Sequence, residues 1–250
     1  MAVGPHFVVK HGRAVSENEG QTLLFLEEHC GDYLRVPKLY AMYHLLSTGH
    51  LCLVMERLPG ETLEHLWPEL DVEEKWTICV ELKRAMDRLR EIPPPGFYGG
   101  VGRTPIPHHL FWDPEQKKEI CGPFESESLF NAGMVGKLRE NDALNSGFMT
   151  AKVEFYERNL DAMLNGHPPV FTHSDFQRKN ILVYRTVDKT FEIAIIDWET
   201  AGWYPTYWEY ALKFATMQWE GDWPKLLEQI VDVLPGEAAI FRMLYQELWF

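Results

Sequence analysis

Four polar residues stand out by type and spacing. His173, Asp175 and Asn180 lie in Phe171-Thr-His-Ser-Asp-Phe-Gln-Arg-Lys-Asn-Ile-Leu-Val183, and Asp197 follows the apolar run Ile193-Ala-Ile-Ile196. An aspartate facing a cleft can accept the proton of an attacking hydroxyl. An asparagine five positions on can turn back to hold Mg²⁺ near phosphates, and a second carboxylate then completes the metal site. The apolar run before Asp197 predicts a buried strand that delivers this carboxylate rigidly. Taken singly, Asp175 reads as a turn residue making local hydrogen bonds, and Asp197 as an ordinary strand end. In this order, with apolar runs where the chemistry needs them, the four point to metal-assisted phosphoryl transfer.

The elements that must position them can be read along the chain. His6–Lys10 is β-branched and aromatic and is stopped by Gly12, which predicts a short strand ending in Lys10. A helix opens at Ser16 and carries Leu23, Leu24 and Leu26. Strands are expected over Lys38–His44 and His50–Arg57, joined through Ser47-Thr-Gly49. The second breaks at Pro59 and Gly60, a hinge that offers backbone groups to an adenine edge. The Glu56 carbonyl and Leu58 amide are the candidates for those bonds, with Met55 behind them and Ile196 as a further apolar wall. Helices are expected over 61–67 and over 71–91, the latter with Val72, Trp76, Val80, Leu82, Met86 and Leu89 as its apolar positions and Pro93-Pro-Pro95 as its stop. Gly96–Phe124 reads as a long surface loop in which His108 and His109 point to opposite sides. Helices over 125–138 and 145–164 precede the polar segment. Beyond it come a turn at Ala201–Pro205 and helices over 206–219, 223–233 and 237–249. Trp203, Tyr204, Tyr207, Trp208 and Tyr210 are core by default, although an aromatic wall could also receive a cation.

The H-x-D-x-x-x-x-N spacing resembles the catalytic loop of kinases. The H-S-D and I-D-W-E forms are similar to the aminoglycoside phosphotransferase and choline kinase branch. The phrases V-V-K-H-G, V-M-E-R-L-P-G-E-T-L, F-T-H-S-D-F-Q-R-K-N-I-L-V and I-I-D-W-E-T-A-G-W-Y-P-T-Y-W-E-Y resemble the fungal branch of that family in particular. The resemblance runs from about Phe7 to the final helices. It implies an α+β, two-lobed protein-kinase-like fold with a truncated, small β-rich N-terminal lobe (1–57) and a large, mostly helical C-terminal lobe (58–250). It also implies ATP and Mg²⁺ in a cleft and phosphoryl transfer to a small-molecule hydroxyl. Asp175, with His173 beside it, would be the catalytic base, and Asn180 and Asp197 the metal ligands. Lys10 would clamp the phosphates, paired with Glu19. Two alternatives stand beside that pairing: Ser16 and Glu19 also form an S-x-x-E capping box, and Glu17 is a second candidate partner.

Such relatives place two strands and a phosphate-covering loop before the lysine strand, whereas nine residues precede Lys10 here, with Gly4 as the sole glycine. The lid is therefore expected to be absent or vestigial. That leaves a catalytically silent pseudokinase or binding module as the alternative to a transferase. A protein kinase is the poorest fit, because no A-P-E segment follows Asp197.

Composition narrows the partners. The 250 residues are 46% hydrophobic, enough for one large domain or two lobes. A formal net charge of −13 argues against nucleic acid or an anionic membrane. Glu199 and Glu209 would permit a cationic acceptor. Cys30, Cys52, Cys79 and Cys121 form no C-x-x-C pair, so buried, reduced thiols are expected. The start has neither a basic n-region nor an apolar h-region, and no run reaches the length of a membrane span, which places the expected location in the cytoplasm. Oligomeric state leaves no signal.

Overall fold

The computed structural model describes residues 1–250 except Asp32, Ser146, Val187, Lys189, Trp249 and Phe250. Strand β1 (Ala2–Val3) turns through Gly4, at a φ of 62°, into β2 (Phe7–Gly12). Helix α1 (Glu17–Cys30) follows, with Ser16 Oγ capping it by accepting the Asn18 N–H at 3.1 Å. β3 (Leu39–His44) and β4 (Leu51–Glu56) complete an antiparallel sheet in the order β1-β2-β4-β3. β4 is central and nearly all buried, which explains its unbroken apolar run. Its register places Lys10 opposite Leu53.

At the break after β4, Gly60 has a φ of 103°, and a Cβ there would lie 2.6 Å from the Val183 carbonyl oxygen. Only glycine fits that close approach. β5 (Glu61–Thr62) and α2 (Leu63–Leu66) lead to α3 (Val72–Arg90), which opens on a capping box between Asp71 and Glu74. The buried stripe of α3 is Ile78, Cys79, Leu82, Ala85, Met86 and Leu89. The expected face is thus right in its second half only. Val72 is 83% exposed, and Trp76 and Val80 are exposed too. In the first turns of α3 large apolar residues sit on the solvent side, so apolar periodicity there does not mark the buried face.

Gly96–Phe124 is a surface loop only in part: Trp112 is 64% exposed, yet the segment also supplies core residues. Phe97, Tyr98, Ile106, Leu110, Phe111 and Ile120 are all buried, and Tyr98 exchanges two backbone hydrogen bonds of 2.8 Å with Phe124. Within it a 3₁₀ turn (His109–Phe111) begins directly after His108. The helical turn brings the two imidazoles together at a 35° tilt, with centroids 4.1 Å apart, where an extended chain would have pointed them apart. α4 (Lys118–Cys121), α5 (Glu127–Leu144) and α6 (Thr150–Met163) lead to β6 (Pro169–Thr172). α6 buries Val153, Tyr156 and Leu160, while Phe148, just before it, is 91% exposed.

β7 (Ile181–Arg185) and β8 (Phe191–Ile195) form a hairpin that extends β5 into the three-stranded order β5-β7-β8. The segment read as a turn is β9 (Gly202–Pro205), antiparallel to β6. Gly and Pro at its ends gave the turn signal, while pairing with a strand 33 residues upstream decides its structure (Pro169 opposite Pro205, Thr172 opposite Gly202). α7 (Trp208–Thr216), α8 (Trp223–Leu227) and α9 (Pro235–Leu248) follow; the last residue of the expected 237–249 helix, Trp249, lies outside the described residues. The four cysteines are buried and none is in a disulfide. Among the described residues no helix is long and apolar enough to cross a membrane.

The chain divides into two compact units. The first holds Met1–Ile92, Asp175–Ala201 and Lys225–Ile230; the second holds Pro93–Ser174, Gly202–Pro224 and Val231–Phe250. The first carries the two larger sheets around Leu26, Leu53, Leu63 and Leu82. The second is built on aromatic rings: Trp208 stacks on Tyr204 at 4.9 Å and meets Phe241 at 5.0 Å and Phe130 at 5.5 Å. The aromatic run after Asp197 is therefore core.

His108 is buried in this aromatic unit. Burial first, then the nearby His109 and Lys213, hold its imidazole well below the ordinary value of 6.5. The folded chain refuses a proton that the unfolded chain accepts, so stability should fall as pH drops below about 6.5, by up to roughly 1.4 kcal/mol per pH unit. Urea unfolding at pH 7.5 and 5.5 measures this. His108→Asn, which can still accept the Leu110 N–H, should flatten the slope.

Candidate active site

Every residue that the sequence singled out for nucleotide or metal lines one cavity of 460 Å³ in the first unit. Val8, Leu23, Met55, Leu58, Leu182 and Ile196 supply apolar walls, and Lys10, Glu19, Asn180 and Asp197 supply polar groups. Such a ratio of apolar wall to a few convergent polar groups is typical of small-molecule sites. Glu56 lines it too.

The polar groups meet at Lys10. β2 carries its ammonium to 2.8 Å from Glu19 Oε2, 2.6 Å from Asp197 Oδ1 and 2.9 Å from Glu199 Oε2. Glu19 thus spends its charge on Lys10, and its helix is capped by Ser16 without it. Glu17, the other candidate, is exposed and lies 3.9 Å from His44 Nε2. Burial works against the Lys10 charge, but the Glu19 carboxylate, then hydrogen bonds to Asp197, Glu19 and Glu199, outweigh it and raise its pKa above an ordinary lysine's. Glu19 is pushed up, by burial foremost and by its acidic neighbours, against the pull of Lys10.

Asp197 lies two residues beyond β8, at a φ of 65°. That left-handed conformation is uncommon for a side chain other than glycine and persists where the surroundings fix it. On one side the Ile196 N–H donates to the Asn180 carbonyl at 2.9 Å, and the Trp198 Nε1 donates to the Ile195 carbonyl at 2.8 Å.

A 3₁₀ turn (Arg178–Asn180) folds the segment after Asp175 back on itself. Asn180 Nδ2 donates to the Asp175 backbone oxygen at 2.9 Å and to Asp175 Oδ2 at 2.8 Å, which turns its carbonyl oxygen the other way. Gln177 Nε2 donates to Asp175 Oδ1, and Lys179 Nζ stands 3.7 Å from Oδ2. Asp175 is half-buried and does not line the cavity.

His173 does not belong to the first unit. It is fully buried in the second unit, and its backbone N–H donates to Glu209 Oε2 at 2.9 Å. Ser174, at a φ of 66°, donates its N–H to the same oxygen at 3.1 Å and accepts from Trp208 Nε1 at 2.8 Å. Glu209 is itself fully buried, so it holds backbone and is no acceptor-binding carboxylate. Its sequence carried a signal for this: a lone carboxylate between Trp208 and Tyr210 in an apolar helix must find a buried partner. Gln177, Lys179 and Glu199 are the contacts that the sequence did not reveal. Gln177 looked like an ordinary loop residue, and Glu199 reaches a lysine 189 positions away.

The model of the phosphotransferase enzyme family, APH, matches residues 2–238. The chain belongs to that family. No curated protein matches this phosphotransferase. Among solved structures, a thermostable mutant of aminoglycoside phosphotransferase APH(4)-Ia in its apo form is similar over 99% of this chain and 82% of its own, at 18% identity and a TM-score of 0.66. A ternary complex of such a mutant with ADP and hygromycin B is similar over 99% and 81%, at 16% identity and 0.64. A GDP complex of an aminoglycoside 2'-phosphotransferase-IIIa mutant is similar over 98% and 77%, at 13% identity and 0.59. At these identities the likeness is one of fold: this phosphotransferase has the α+β, kinase-like fold of the aminoglycoside phosphotransferases.

Proposed function

We propose that this phosphotransferase, in the cytoplasm, moves the γ-phosphoryl group of Mg²⁺-bound ATP to a hydroxyl of a small molecule, with Asp175 as base. The observation that carries the reading is the convergence of Lys10, Glu19 and Asp197 within 2.8 Å contacts at the wall of one cavity. The donor set suits Mg²⁺. Glu19, Asp197 and Glu199 offer oxygens within 4.8 Å of one another, and around one ammonium they leave the two negative charges that a divalent ion neutralises. Asp197 and the outward-turned Asn180 carbonyl are the hard oxygen ligands such an ion takes. Held by Asp197 and Asn180, the ion would supply positive charge to offset that of the phosphates.

The chain's own residues do the rest. Lys10, kept charged by Glu19, grips phosphate oxygens. Met55, Leu58 and Ile196 wall the adenine, with the Glu56 carbonyl and the Leu58 N–H on its edge. Gln177 and Asn180 orient the Asp175 carboxylate, which takes the proton of the acceptor hydroxyl.

An ADP-release assay against hydroxylated small molecules, aminoglycosides including hygromycin B among them, tests the reading. Turnover that needs Mg²⁺ and disappears in Asp175→Asn is the expected result. Nucleotide binding with no transfer to any acceptor would favour a silent binding module instead.

A further inference from the structure

The turn that carries Asp197 is clasped from α1. Asn18 Nδ2 donates both its hydrogens, to the Glu199 carbonyl at 3.0 Å and to the Ala201 carbonyl at 3.0 Å. Turned over, the carboxamide would set its oxygen against two carbonyl oxygens, so the pair of acceptors fixes its orientation. The turn closes on itself through the Ala201 N–H and the Trp198 carbonyl at 3.1 Å, and Asp197 stands at its start in the left-handed region. The next residue on α1 is Glu19, whose carboxylate meets Lys10, and Lys10 in turn meets Asp197 and Glu199. Neighbouring residues of one helix therefore hold both the backbone of the turn and the cation on its side chains.

From this we infer that Asn18 is the positioning residue of the metal-holding aspartate: through the Glu199 and Ala201 carbonyls it keeps the turn in the form that aims Asp197 into the cavity. The inference rests on the reading of Asp197 as a metal ligand. Asn18 touches neither nucleotide nor metal. It acts as an outer partner of a ligand, and loss of such partners lowers metal affinity by about 10- to 100-fold.

The test is calorimetric titration of ATP into wild type, Asn18→Ala and Asn18→Asp, each with and without Mg²⁺, with amide exchange followed over residues 197–201. Asn18→Asp keeps the size but sets an anionic oxygen against the two carbonyls, so both variants should behave alike. Metal-free affinity should stay within about twofold, the gain on adding Mg²⁺ should shrink about tenfold or more, and the Ala201 amide should exchange faster. Variants that keep the full Mg²⁺ gain would overturn this inference alone. So would variants that lose metal-free binding equally, since that marks a merely structural residue. A wild type with no Mg²⁺ gain would overturn this inference and the reading of the site together.

Discussion

Asp175→Asn should lower phosphoryl transfer by roughly 10²- to 10⁴-fold, the usual worth of a positioned general base. Mg²⁺·ATP affinity should stay within about threefold, because Asp175 stands outside the cavity lining. The substitution keeps shape and removes only the ability to accept a proton. It also sets an amide donor against either the Gln177 or the Asn180 donor, both of which now point at the carboxylate. A modest loss in thermal midpoint should therefore accompany the loss of turnover. Single-turnover kinetics beside nucleotide titration measure the two effects separately. Equal losses in binding and turnover would remove Asp175 from the role of base.

Asp197→Ala should do the opposite. It removes a carboxylate in direct contact with Lys10 and, on this account, the ligand that ties Mg²⁺ to the chain. The Mg²⁺-dependent part of ATP affinity should fall by on the order of 100-fold, while metal-free ATP still binds through Lys10 and the apolar walls. The thermal shift that Mg²⁺·ATP gives the wild type should shrink to the one that ATP gives without metal. The variant itself should fold, because Lys10 keeps Glu19 and Glu199 as partners. A thermal shift undiminished in Asp197→Ala would exclude this residue as the ligand.

What was legible beforehand follows from how local each signal is. The spacing of Asp175 and Asn180 is five residues, and the 3₁₀ turn that joins them closes within the segment, so the pair could be read directly. Lys10 and its pairing with Glu19 were legible only through the family resemblance, since β2 runs on past Lys10 to Gly12 and the local sequence left Glu17 and a capping box as alternatives. The long-range contacts were not. Asn18 looked like an unremarkable first-turn residue, yet its partners lie 181 and 183 positions away. β9 was hidden because Gly202 and Pro205 mimic a turn when no partner strand is known. Glu209 was misread for the same reason. Read alone a carboxylate suggests a ligand for an amine, and only its burial against the His173 and Ser174 amides reveals a structural acceptor.

The most direct measurement is calorimetric titration of the unaltered chain with ATP, and with GTP in parallel, in the presence and absence of Mg²⁺. The account predicts binding of at least one nucleotide at millimolar concentration or below, strengthened by Mg²⁺. Failure of both to bind at millimolar concentration would contradict it, whatever acceptor is offered.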